Sequence, residues 1–500
     1  MNTQRLAKFI VAHRITIAGI ILIFIMAWRS EGFYHPDEHY QLLEYANYKS
    51  GLAIKEGLAW EFQSQIRPGL QPFVAYSALS LWRALGISNP FLHAFFLRLI
   101  SGILSLILVL KTVHYIRGIH PNQKTHQVFL FLVLFLWFAP FLQVRFSSEN
   151  WSALSFFSGI LLVLNYIGQT EKKKIGFLLL GGLALSLSFQ FRYQMAFALL
   201  GFLAWLITFR KLDRHQWLYF SGAALVGLGI GLLADYWMYH TWQFTPYLYF
   251  HSNITEGKAA TFGTSPWWFY FTALFKTLGP GLNVLLLGLF LIGVWRSPRH
   301  PFTWLLIPFV IGHILVDHKE LRFLFPMLIP FIYLVSSGWA GIPDGFKRPL
   351  WVKPILIILL GINLLLLIYR LKEPAERLMP HYRFLYDRAQ SGRDILIFFY
   401  EPNSTSYTNS IYGPGNLRLT FYRPARLKQI PIHRPEEMDQ FDISKTQNLV
   451  INFYPTLPPS RSKKQGLAFK NSQWLYSDLR KFQFFKSVDY PCKIFNLHPN

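Results

Sequence analysis

Apolar runs long enough to cross a bilayer recur along most of this chain, and nothing else in it narrows the choice of fold so far. The first spans about residues 11 to 28, and ten more follow at roughly 92 to 116, 127 to 144, 150 to 168, 175 to 191, 193 to 209, 217 to 236, 272 to 295, 302 to 317, 321 to 340 and 351 to 369. About 20 helical residues cross a hydrocarbon core, and inside it a segment must satisfy its own backbone hydrogen bonds. The expectation is an α-helical multi-pass membrane protein with about eleven transmembrane helices, several near the lower length limit. Composition agrees, since 52% of the 500 residues are hydrophobic and only 15% are charged, too few for a soluble globular chain of this size.

The net charge of +24 raises nucleic acid as a partner, and its distribution argues against it. Basic residues cluster in alternate connections: Arg117 and Lys124, Lys172 to Lys174, Arg210 with Lys211 and Arg214, Arg296 with Arg299, and Lys347 with Arg348 and Lys353. That is the positive-inside pattern, and such clusters also suit anionic membrane lipid. Arg5, Lys8 and Arg14 precede the first run and no small-residue cleavage site follows it, so it reads as an uncleaved signal anchor with a cytoplasmic N-terminus. The C-terminus then falls outside. Residues 1–370 form the expected membrane domain, with 30–90 as its first external loop and an amphipathic stretch from Phe73 to Leu85 along the interface. In 371–500 the apolar runs shorten to strand length, as at Ile395 to Tyr400 and Leu449 to Tyr454, which predicts a small external soluble α/β domain. Asn253 and Asn403 open N-x-T or N-x-[ST] triplets, a pattern common by chance. The single cysteine, Cys492, excludes an internal disulfide and a cysteine-based metal site.

With that topology the ionisable residues near span ends gather on the outer side. The stretch Glu31 to Tyr48, EGFYHPDEHYQLLEYANY, carries His35, Asp37, Glu38, Gln41 and Glu44. Adjacent carboxylates at a low-dielectric boundary hold their protons more tightly and can serve as a general base; an ordinary helix start, with Pro and acids in the first turn, explains the same letters. Arg67, Arg145, Glu149, Arg192 and Asp235 share that side, as does His318 to Pro326, HKELRFLFP. Ionisable groups at membrane depth are costly and mark functional cavities by default, although interfacial ion pairs account for any one of them. His318, Lys319 and Arg322, beside Glu320, can neutralise a phosphate that gains charge as its bond breaks; an aqueous loop anchoring a span is the alternative. The loop from Tyr236 to Trp268 offers Trp267, Gln243, His251 and Asn253, which suit sugar faces and hydroxyls and equally an interfacial aromatic belt.

Three stretches taken together, HPDEHYQ at 35–41, GTSPWWFYFT at 263–272 and HKELRFLFPMLIP at 318–330, resemble glycosyltransferase family 22, which includes the mannosyltransferases of GPI-anchor and N-glycan precursor assembly. FRYQMA at 191–196 and ADYWMYHTWQFTPYLYFHSN at 234–253 are similar to further segments of that family, and the resemblance covers residues 10 to about 340. It implies a GT-C glycosyltransferase fold with its site at the outer or lumenal face. The implied reaction is inverting transfer of mannose from a polyprenyl (dolichyl) phosphate mannose donor to a glycan or glycolipid hydroxyl. The first-loop acids would supply the base, Asp37 ahead of Glu38. The donor phosphate would be held by His318, Lys319, Arg322 and Arg192, and the substrates lined by His35, Gln41, Glu44, Arg67, Arg145, Glu149, Asp235, Asn253, Trp267 and Glu320. No metal or other cofactor is expected to be required; a divalent cation at Asp37 and Glu38 is the weaker alternative, because a monophosphate leaving group needs less neutralisation and bases are already at hand. Tyr193 and Gln194 stand where that family more usually has a Pro-Thr-like pair, which favours a bacterial inner membrane over the endoplasmic reticulum. The alternatives are a GT-C transferase of another lipid-linked sugar, a lipid-linked sugar transporter or flippase, and a non-catalytic scaffold. Charges gathered at one boundary rather than mid-membrane weigh against transport.

Overall fold

Every apolar run of the sequence is wound as helix, but not every run is one helix. The computed structural model describes residues 3–120, 125–169, 174–210, 212–343, 345, 350, 352–376, 378–390, 395–400, 419–424, 427–432, 447–452 and 493–496. Lys124, Lys172, Lys173, Lys211, Lys347, Arg348, Asn403, Phe453, Tyr454 and Cys492 lie outside the described residues.

The principal helices are α1 (Thr3–Arg29), α2 (Leu70–Ala84), α3 (Pro90–Ile119), α4 (Thr125–Phe135), α5 (Ala139–Val144), α6 (Ser148–Gly168), α7 (Ile175–Phe191), α8 (Met195–Phe209), α9 (Arg214–Tyr239), α10 (Leu282–Arg296), α11 (Pro301–Leu315), α12 (Leu328–Gly341) and α13 (Val352–Lys372). Local signals set their ends. Asn89 caps α3, its Oδ1 accepting from Phe91 and Leu92 N–H at 2.9 and 3.4 Å ahead of a helix that begins on Pro90. Asp213 and Gln216 close a reciprocal capping box on α9.

The expected count of eleven crossings is not reached among the described residues by helix length and composition. Among the described residues five helical stretches are long and apolar enough to cross a bilayer: Pro90–Ile119, Ser148–Gly168, Arg214–Tyr239, Leu321–Gly341 and Val352–Lys372. The count is six if α10 and α11, bent by 118° at a short break, form one broken span. Breakers in the sequence account for the difference. The run at 127–144 parts into α4 and α5 just before Pro140. The run at 272–295 parts between Phe269–Thr277 and α10, where Gly279 and Gly281 take φ of +99° and +72°. Helices α7 and α8 are only 17 and 15 residues long.

The chain divides into two units, Met1–Gly51 with Leu58–Arg377, and Leu52–Gly57 with Leu378–Asn500. In the first, α6 packs on α7, α7 on α9, α8 on α11 and α10 on α12 around fully buried Phe156, Phe157, Phe202, Phe302 and Phe309. Small residues permit the closest approach: a Cβ on Gly293 of α10 would stand 1.9 Å from the Leu334 carbonyl oxygen, and one on Gly338 of α12 2.0 Å from that of Leu289. The second unit holds α14 (Met379–Ala389) and strands β1 (Ile395–Tyr400), β2 (Leu427–Ile432), β3 (Gln447–Asn452) and β4 (Lys493–Asn496) in the order β2-β1-β3-β4. β1 runs parallel to β2 and β3, with Phe398 opposite Ile430 and Val450, and β4 pairs antiparallel with β3.

Candidate active site

The chain leaves α1 through a short turn in which Glu38 N–H donates to the His35 carbonyl and Tyr40 N–H to that of Pro36, and then winds residues His39–Leu43 as a π-helix. Such widened turns recur at functional sites. This one carries Asp37 and Glu38 into different surroundings.

Asp37 faces the 3-10 turn Leu321–Met327, where Arg322 Nη2 donates to its Oδ2 at 2.9 Å across 285 residues of sequence. Arg67 Nη2 lies 3.7 Å from the same oxygen and His35 Nδ1 3.5 Å from Oδ1. Arg322 is the hub of the site. Its Nη1 donates to Glu149 Oε1 at 3.0 Å and its Nε to Glu320 Oε2 at 2.7 Å, so one guanidinium answers three carboxylates. Glu149 stands in the first turn of α6, where the helix dipole favours an acid, and also accepts from Arg192 Nη1 at 2.9 Å. Glu320 is approached by His35 Nε2 at 3.1 Å and by His318 Nε2 at 3.0 Å.

Glu38 belongs to a second cluster. Its Oε2 takes Arg145 through Nε at 2.8 Å and Nη2 at 2.6 Å, while Arg145 also donates to the carbonyls of Ser30 and Gly32. Both side chains are buried, whereas Asp37 is 22% exposed. Glu38, Arg145 and Glu149 border a cleft lined also by Leu108 and Val109 of α3, Val133 of α4, Leu154 of α6 and Ile329 of α12.

Burial alone would raise the Asp37 carboxyl, but Arg322, the hydrogen bond with His35 and Arg67 together hold it well below the usual carboxylate range. Glu320 is held below its ordinary value in the same way, burial being outweighed by His318, His35 and Arg322. The histidines respond in the opposite sense. The Glu320 hydrogen bond raises His318, and for His35 the bonds to Asp37 and Glu320 overcome burial and the repulsion of Arg322.

The remaining residues singled out from sequence are dispersed around this centre. Gln41 Nε2 donates to Glu61 Oε1 at 3.0 Å, and Arg67 reaches the same oxygen at 3.3 Å. Glu44 pairs with buried His39 at 2.7 Å. Lys319 donates to the carbonyls of Val316, Ser265 and Asp317 at 2.7, 2.9 and 3.5 Å, so its hydrogen-bond partners among the described residues are neutral. Asp235 does not join the cluster; its Oδ1 accepts from Gly69 N–H at 2.6 Å, an anchor for backbone. Asn253 Nδ2 bonds the Tyr249 carbonyl at 2.9 Å, and Trp267 is 61% exposed beside Trp268 and Phe271. Glu61, Ser148, Tyr239 and Arg370 escaped the sequence reading. Glu61, Tyr239 and Arg370 are buried, Ser148 stands beside Glu149, and only the contacts of the fold reveal them.

Fold and site together define a class: a multi-pass helical membrane protein with a carboxylate centre clasped by arginines at the ends of its helices. The Alg9-like mannosyltransferase family model matches residues 15–391, and the chain belongs to that family. Among its relatives, GPI alpha-1,2-mannosyltransferase 3 of Bos taurus is 26% identical over 70% of this chain and 63% of its own length. GPI mannosyltransferase 3 of Yarrowia lipolytica is 27% identical over 63% of this chain and 61% of its own. The chain therefore spans a little over six-tenths of these curated relatives. Among solved structures, ArnT from Cupriavidus metallidurans superposes in its apo state with a TM-score of 0.49 at 13% identity, covering 92% of this chain and 94% of that one. Its form bound to undecaprenyl phosphate gives 0.49 at 12%, covering 97% and 98%.

Proposed function

We propose that the protein is an inverting mannosyltransferase of GT-C architecture, moving mannose from a polyprenyl or dolichyl phosphate donor to a hydroxyl of a glycolipid at the outer or lumenal membrane face. The observation that carries this reading is the Asp37–Arg322 pair. It sets a partly exposed carboxylate against a cation able to take a phosphate in its place. As the donor's phosphate draws the Arg322 guanidinium, Asp37 loses its strongest electrostatic partner and becomes a better base. It then accepts the proton of the acceptor hydroxyl while that oxygen attacks the anomeric carbon from the face opposite the phosphate. The bond between the anomeric carbon and the phosphate oxygen breaks, and the lipid phosphate leaves with the bonding electrons. Lys319, surrounded by carbonyls, supplies a charge that no carboxylate among the described residues claims, and His318 can donate a proton or hydrogen bond to a phosphate oxygen.

The same geometry supports transfer without a metal. Asp37 and Glu38 are taken up by different arginines, so they do not converge as a ligand pair. The names of the relatives make a mannose-ending GPI-type glycolipid the first acceptor to try, in α-1,2 linkage. The test is incubation of purified protein with radiolabelled polyprenyl phosphate mannose and a panel of mannose-ending glycolipids, with and without EDTA. Label that enters a glycolipid, is released by α-mannosidase and survives EDTA supports the proposal. Absence of transfer to every acceptor, with donor intact, refutes it.

A further inference from the structure

Arg370 lies near the end of α13, a helix that buries little of its length within the protein, and yet its own side chain is only 8% exposed. Its guanidinium carbon rests 3.5 Å from the Phe141 ring centroid, on the ring that Arg145 approaches at 5.4 Å. Among the described residues Arg370 has no hydrogen-bond or ion-pair partner, and its Nη2 is fully buried. A buried guanidinium nitrogen without an acceptor is costly. The carboxylate whose charge acts on it, Glu38, is already committed to Arg145, so two arginines share one negative charge. Arg145 and Glu38 also line the largely apolar cleft between α3, α4, α6 and α12. A cationic seat beside an apolar cleft fits an amphiphile with an anionic head and a hydrocarbon tail.

We propose that Arg370, with Arg145, is a phosphate-binding residue that seats the headgroup of a lipid phosphate beside the Arg322 centre, its chain entering the cleft that Arg145 borders. The assignment rests on the proposed function for the identity of that lipid, the polyprenyl phosphate of donor and product. A phospholipid from the surrounding membrane offers the same phosphate chemistry, and the two sources separate by experiment.

Binding of radiolabelled dolichyl phosphate, of phosphatidylglycerol and of inorganic phosphate is measured on the purified full chain, for the wild type, Arg370→Met and Arg370→Lys. The expected result is a loss of dolichyl phosphate affinity on the order of tenfold to a hundredfold in Arg370→Met, with Arg370→Lys between the two. Because the charge removed has no hydrogen-bond or ion-pair partner among the described residues, the ligand-free Tm of Arg370→Met should be no lower than that of the wild type. Unchanged dolichyl phosphate affinity overturns the proposal, and a lowered ligand-free Tm with unchanged affinity shows the arginine to be structural. A loss confined to phosphatidylglycerol assigns the seat to membrane lipid and overturns its link to the substrate. None of these readouts needs mannose transfer. A chain that binds dolichyl phosphate through Arg370 and transfers no sugar would sink the proposed function and leave this inference standing.

Discussion

Asp37 and Glu38 are neighbours in sequence and differ in what holds them. Asp37 is partly exposed and shares Arg322 with two other acids, so Asp37→Asn leaves that arginine paired with Glu149 and Glu320. Transfer should fall by about a hundredfold or more while the melting temperature changes little. Glu38→Gln instead strands buried Arg145, and should cost about 3–5 kcal/mol of stability. Melting curves beside transfer rates on the two variants separate the roles, and retained activity in Asp37→Asn would remove it as the base. The four shifted groups also fix a pH dependence. His35 and His318 are raised above 6.5, so their contribution is complete below that pH and fades as pH climbs through their folded values. Asp37 and Glu320 are depressed from 3.8 and 4.5, so theirs is complete above those values and fades only in stronger acid. Melting temperature should therefore be highest between about pH 4.5 and 6.5, and His318→Gln should flatten its fall on the alkaline side. At this scale the sequence showed which short stretches carry charge. It did not show that Arg322 serves three acids, because pairings across 173 and 285 residues leave no local trace.

The segment bearing Arg67 is placed by a helix far along the chain. On α9, Asp235 accepts from Gly69 N–H, and Tyr239, one turn later, donates its hydroxyl to the Arg67 carbonyl at 2.8 Å. Gly69 is pressed so close that a Cβ there would stand 2.4 Å from the Ala234 carbonyl oxygen. Gly69→Ala must therefore shift this segment. Tyr239→Phe removes one hydrogen bond, worth about 1 kcal/mol, without the clash. Both should loosen Arg67 from Asp37 and move the acid limb of the kcat/KM profile to higher pH, Gly69→Ala further than Tyr239→Phe. An unmoved acid limb in both variants would show Arg67 irrelevant to the base. Asp235 illustrates the limit of reading charge alone: a carboxylate at the end of an apolar run announces a buried polar role without saying whether its partner is substrate or backbone.

For the whole molecule, hydropathy located the helices and misjudged their lengths, since a proline or a pair of glycines inside an apolar run changes the average little and ends the helix outright. The cytoplasmic N-terminus and external C-terminal region expected from the basic clusters can be tested directly at the lone Cys492. A membrane-impermeant maleimide should label it in intact cells or sealed right-side-out vesicles, and label gained only after permeabilisation would reverse the orientation. The charged centre recruits Asp37 just past α1, Glu149 from the start of α6, Arg192 from the end of α7 and Arg322 from the turn before α12. Until the ribosome has delivered that last arginine, Asp37 and Glu149 have only Arg67 and Arg192 to answer them, and the acids lack the cation they share. A truncated or half-inserted chain is thus left with acids that lack their common cation in place of a closed pocket.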